Sequence, residues 1–173
     1  MKKTGAWLGL DGLDNPEDAL VVRAGFALAV LAMAVRVLFW AYTQRYQDDA
    51  LITCLHSLNF VKGLGLSHYR PGEPPLHGFT SPLSVLIPLV GDLIRPGFGV
   101  DFLKLTSIPA AALTVLYLLA LGLHQSVRLP KPLIIVLMGY AAFEHHQISF
   151  GMSGMETQFS ICILVASVYY CAA

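Results

Sequence analysis

From Ala19 to Tyr42 the chain is apolar, interrupted only by Arg23 and Arg36. About 20 residues of helix cross a hydrocarbon core of about 30 Å. A segment in lipid must satisfy its own backbone hydrogen bonds, which makes a helix the default there. The run is therefore long enough to be a transmembrane span. A polar leader precedes it, with Lys2 and Lys3 followed by Asp11, Asp14, Glu17 and Asp18. A secretory signal with Ala32-Met33-Ala34 at its cleavage site is the competing reading. The long acidic leader and the continuation of the run through Trp40 argue for an anchor. Arg23 and Arg36 lie near the ends of the run, where a long side chain can snorkel to the headgroups.

Composition extends the same conclusion to the whole chain. Of 173 residues, 55% are hydrophobic and 13% charged, against about 25% charged in soluble domains. Intrinsic disorder is excluded by the same numbers. Lys+Arg and Asp+Glu are 11 each, so there is no basic excess to bind nucleic acid. Cys54, Cys162 and Cys171 contain no CxxC pair and specify neither a disulfide framework nor a zinc site. The expected class is an all-α integral membrane protein, with 1–173 forming a single transmembrane region.

Spans are expected at about 20–41, 102–123, 132–150 and 158–173, the second with Lys104 near its start. The last run is still apolar at Ala173, so the chain is expected to be an N-terminal fragment or a truncated product. An outer loop, 42–101, separates the first two spans. Within it, residues 50–62 place Leu51, Leu55 and Leu58 at helical spacing, facing lipid or core. Asp48 or Asp49 is placed to cap that interfacial helix, and Gly63 and Gly65 to end it. The apolar segment 83–94 contains Pro88, Gly91 and Asp92 and is short for a span, which suits an interfacial or re-entrant piece; were it to cross, Arg128 and Lys131 would lie outside and Glu156 inside.

Lys2 and Lys3 favour a cytoplasmic N-terminus. With 83–94 not crossing, the spans leave Arg128 and Lys131 inside, as the positive-inside rule prefers. Asp48-Asp49 and the Gly151–Thr157 segment then share the outer face.

Two adjacent carboxylates repel, which raises the pKa of one. Asp48-Asp49 can thus supply a general base, hold a divalent cation such as Mg or Mn, or serve as a solvated helix cap. Glu144, His145 and His146 lie at the far end of the third span. Adjacent histidines on a helix diverge, which makes a poor joint metal site.

The order of the polar motifs carries more than their spacing. Asp48-Asp-Ala-Leu-Ile-Thr53 is followed by Asn59, Gly63-Leu-Gly-Leu66, Tyr69-Arg-Pro-Gly-Glu73, Gly78-Phe-Thr-Ser-Pro-Leu83 and, later, Ser153-Gly-Met-Glu-Thr157. This order resembles the first outer loop of polytopic GT-C glycosyltransferases, in the bacterial branch of the arabinofuranosyltransferases. Phe79 stands where that branch usually has tyrosine, and His77 where an acid is common. The resemblance covers about residues 20–170 and implies the N-terminal part of a GT-C multi-span helical bundle in the bacterial inner membrane. It implies a polyprenyl phosphate sugar as donor and a cell-envelope glycan or lipid as acceptor on the outer face. Asp48 and Asp49 would be catalytic, one as base on the acceptor hydroxyl. Glu156, Arg36, Arg70, His77 and Thr80 would bind substrate, with Arg36 and Arg70 the cations available to a phosphate. Membrane lipid would be the surrounding partner. The alternatives are a non-catalytic polytopic membrane protein or an inactive remnant of such an enzyme.

Overall fold

The computed structural model describes residues 16–67 and 82–172. Among them all regular structure is helical: α1 (Pro16–Thr43), α2 (Asp48–Val61), α3 (Pro82–Ile94), α4 (Gly99–Leu123), α5 (Lys131–Phe143), α6 (His145–Met152) and α7 (Thr157–Ala172). Of these, α1 and α4 are long and apolar enough to cross a membrane.

The run expected as one span over 132–150 is two helices. Glu144 leaves helical geometry (φ −61°, ψ 120°), ending α5 before α6 begins. The cause lies at Ala142. In a continuous helix its carbonyl would accept from the N–H of His146. Here that carbonyl accepts from the Arg36 guanidinium at 3.1 Å. The 13 residues of α5 reach about 20 Å, short of a full hydrocarbon core.

The described residues fall into two compact units. The described part of the first comprises residues 16–37, 108–145 and 159–172. Its core joins Val21, Ala29 and Ala32 of α1, Ala111, Val115 and Leu119 of α4, and Ile134, Met138 and Ala142 of α5. Small residues set the spacing. A Cβ on Gly25 would lie 2.8 Å from Leu119 Cδ2 and 3.2 Å from Met138 Sδ. One on Gly122 would lie 2.7 Å from Ile134 Cγ1. Close backbone approach at small residues is how helices gain dispersion energy where no hydrophobic drive brings them together. At one end of the unit Lys131 Nζ pairs with Glu17 (2.7 Å) and Asp18 (2.9 Å). Large apolar side chains point outward from α1, α5 and α7. Leu20, Val30, Val136 and Leu164 are each about 60% exposed.

The described part of the second unit comprises residues 38–67, 82–107 and 146–158. Here α2 packs on α3, and α3 turns into α4 through Gly97 (φ +87°). Gly91 admits Phe102 so closely that a Cβ there would meet the Phe102 Cβ at 2.5 Å. Asp92, an acid inside an apolar stretch, is 1% exposed. Its Oδ1 accepts from the N–H groups of Gly97 (2.9 Å) and Gly99 (3.0 Å), and its Oδ2 from Ser57. Gly99 is the first residue of α4, so Asp92 supplies from α3 the cap that α4 lacks locally. That accounts for a buried carboxylate in helix α3.

Candidate functional site

Asp48 and Asp49 form the first turn of α2 and are exposed. They do not cap it. The N-cap is Gln47, with extended backbone (φ −91°, ψ 138°) and no side-chain hydrogen bond. As first-turn acids they sit at the positive end of the helix dipole, a placement worth about 0.3–1 kcal/mol. The far end follows the expected punctuation: Lys62 closes the last turn and Gly63 follows at φ +79°.

The face α2 buries is not its leucine stripe. Ala50, Cys54, His56, Ser57 and Asn59 are buried, whereas Leu51 is 47% exposed and Leu55 and Leu58 are half-buried. Each inward polar group has a partner. His56 Nδ1 lies 2.9 Å from Ile52 O, the Ser57 hydroxyl donates its one proton to Asp92 with Cys54 O as an alternative acceptor at 2.8 Å, and Asn59 Nδ2 donates to Ser67 O at 2.7 Å. Burial pushes the Cys54 thiol up to about 12, with the charge of Asp92 adding to the effect. The leucines instead line a cavity of about 170 Å³ whose opposite wall includes Gly97 and Val100.

The Ser153–Thr157 segment meets the start of α2. Gln47 N–H donates to Ser153 O at 3.0 Å. Gly154 lies against Ala50 and Val100, where a Cβ would find Val100 Cγ1 at 2.9 Å and Ala50 Cβ at 3.3 Å. The segment is also the terminator of α6. Gly154 is left-handed (φ +94°), its N–H donates to Gly151 O (3.4 Å), and Met155 N–H donates to Phe150 O (3.1 Å). These two bonds are those of a Schellman cap, which places glycine at the left-handed position. The glycine of this motif is thus set by folding. Glu156, half-buried, then immediately precedes α7.

The corner between α1 and α2, residues 44–47, is pinned. Gln44 adopts φ +49°. Arg45 O accepts from Lys104 Nζ at 2.8 Å. The same ammonium lies 3.5 Å from the centre of the Tyr46 ring and 5.8 Å from that of Trp40. Tyr46 hydrogen-bonds Asp101, and its phenol is raised by burial and then by that carboxylate. Lys104 is fully buried. Its place inside an apolar run was the available sequence signal, since a cation at such depth needs a partner.

Arg36 belongs to the first unit and does not snorkel. It is fully buried, with Nη1 donating to Ala32 O (3.0 Å) and Ala142 O (3.1 Å). Its guanidinium therefore serves the broken end of α5, where a cation complements the helix dipole. His145 and His146 are exposed. Arg70, His77 and Thr80 lie outside the described residues. Among the described residues no three His, Cys, Asp or Glu side chains gather closely enough to hold a metal ion. Cys54, Cys162 and Cys171 are all free.

The chain matches no known protein family, characterised protein or solved structure.

Proposed function

We propose that this chain belongs to a multi-pass glycosyltransferase of the bacterial inner membrane, and that Asp48 and Asp49 act on the acceptor. A sugar would pass from a polyprenyl phosphate to a cell-envelope glycan or lipid at the outer face. One carboxylate takes the proton of the acceptor hydroxyl as that oxygen attacks the anomeric carbon. The bond from that carbon to the phosphate oxygen breaks, and the polyprenyl phosphate leaves with the electron pair. A positioned base contributes about 10²–10⁴-fold to such a step. Glu156 serves as a second acidic contact to substrate.

The observation that carries this reading is the Gln47–Ser153 hydrogen bond. It joins two segments far apart in the chain that the family resemblance treats as parts of one outer-face site. Membrane residence is supported by the two long apolar helices and by the outward-facing Leu20, Val30, Val136 and Leu164. Residues this large and apolar are costly against water and cost nothing against lipid.

The test is transfer from a polyprenyl phosphate sugar by the native membrane protein carrying Asp48→Asn or Asp49→Asn. At least one should lose roughly 10²-fold in turnover per folded molecule. A purely structural role at the helix terminus predicts instead unchanged turnover with a modest loss of stability. Full turnover in both variants refutes the catalytic assignment.

A further inference from the structure

We infer that Lys104 is a positioning residue for the Asp48–Asp49 pair, an inference that rests on the proposed role of those carboxylates. A buried ammonium must be compensated. Besides the charge of Asp101 on its own helix, Lys104 is compensated by one short stretch: the carbonyl of Arg45 at 2.8 Å, the face of Tyr46 at 3.5 Å and Trp40 at 5.8 Å. Aromatic faces attract a desolvated cation through the ring quadrupole. The ammonium thus ties α4 to the end of α1 and to the corner that follows it. Asp101, three residues before Lys104, holds the Tyr46 hydroxyl, so the ring is fixed at its face and at its edge.

The corner has no slack left. Gln44 turns it through a left-handed conformation that is sparsely populated by residues other than glycine. Residues 45 and 46 are held by Lys104, and residue 47 by Ser153. Asp48 is the next residue. Loss of the ammonium frees residues 45 and 46 while leaving the hydrogen bonds within α2 untouched. The carboxylates then shift as a group, and a displacement of about 1 Å at a reacting group costs about 10²-fold in rate.

Lys104→Met keeps the apolar stem and removes the cation. Lys104→Arg restores a cation that also stacks on aromatic faces. Tyr46→Leu keeps the lysine and removes its ring, and it serves if Lys104→Met does not fold. Two measurements are made on the native protein. The first is oxidative cross-linking between Gln47→Cys and Ser153→Cys, with Cys54, Cys162 and Cys171 replaced by alanine. The second is steady-state transfer from a polyprenyl phosphate sugar. Cross-linking should be fast with Lys104, slowed in Lys104→Met and Tyr46→Leu, and recovered in Lys104→Arg. The kcat per folded molecule should fall roughly 10²-fold in Lys104→Met with KM for the donor unchanged. Cross-linking that ignores both substitutions overturns the inference, as does unchanged kcat in an active enzyme. Slowed cross-linking in a protein that transfers no sugar in any form supports the hold of Lys104 on the corner and refutes the enzyme reading.

Discussion

Replacing Gly154 with alanine should be markedly costlier than the same change at Gly63. Both glycines are left-handed, at φ +94° and +79°. The backbone strain of an L side chain in that region is roughly 1–2 kcal/mol and applies to both. Their surroundings differ. Nothing lies within 4 Å of a Cβ on Gly63, whereas one on Gly154 would be 2.9 Å from Val100 Cγ1 and 3.3 Å from Ala50 Cβ. Val100 is β-branched and Ala50 has no rotamer, so neither yields easily. Overpacking of this kind costs about 1–3 kcal/mol. Gly63→Ala should therefore lose roughly 1–2 kcal/mol and Gly154→Ala roughly 2–5 kcal/mol, the two terms being added. Denaturant unfolding in detergent, followed by far-ultraviolet circular dichroism, measures both. The difference isolates the packing of the Ser153–Thr157 turn on α2. Equal losses would refute that packing, and with it the juxtaposition on which the functional proposal stands.

Further outcomes follow from the same geometry. Iodoacetamide at pH 8.5 should alkylate exposed Cys171 and leave Cys54 roughly 10³-fold slower, because few buried thiols with a pKa near 12 are ionised there. Because the folded pKa of Cys54 is raised above about 8.5, its contribution to stability is present below that pH and declines toward pH 12, when the unfolded chain releases the proton first. A Cys54→Ala variant should lack that part of the alkaline decline, and an identical decline would contradict the burial. Asp92→Ala should cost roughly 2–5 kcal/mol, since it strips the acceptor from two backbone N–H groups and leaves the Ser57 hydroxyl only Cys54 O. A loss below about 1 kcal/mol in the same unfolding assay would show that α4 does not depend on that cap. Gly25→Val should lower stability by about 1–3 kcal/mol by forcing α1 away from Leu119 and Met138. An unchanged melting temperature would contradict the close approach.

Features that depend on local chemistry could be read in the sequence. The uninterrupted run after Ala19 specifies α1, and Gly63 ends α2 because a left-handed residue must follow the last turn. Features that depend on tertiary partners could not. The leucine spacing of α2 suggested which face packs, yet the buried face includes Cys54, Ser57 and Asn59, the last two hydrogen-bonded to Asp92 and to Ser67 O. The break at Glu144 has no glycine or proline to announce it. It coincides with a guanidinium that arrives from Arg36, more than a hundred residues earlier. The buried role of Asp92 depends on three donors, from Gly97, Gly99 and Ser57, that only the fold brings to it. At the candidate site, the Asp48–Asp49 pair was legible as an acidic helix start. The Gln47–Ser153 hydrogen bond beside it and the Lys104–Arg45 hydrogen bond at the same corner were visible only in three dimensions.

In the proposed topology α1 and α4 cross a membrane so that the Asp48–Asp49 corner and Glu156 open to the outer face while the α4–α5 turn stays inside. Single cysteines on a background lacking Cys54, Cys162 and Cys171 test this directly. Lys62 and Ser126 are exposed, and Glu156 is half-buried, so all three positions are within reach of a reagent. In spheroplasts, a membrane-impermeant maleimide should label Lys62→Cys and Glu156→Cys at once and Ser126→Cys only after permeabilisation. Labelling of Ser126→Cys from outside with protection of Glu156→Cys would contradict it.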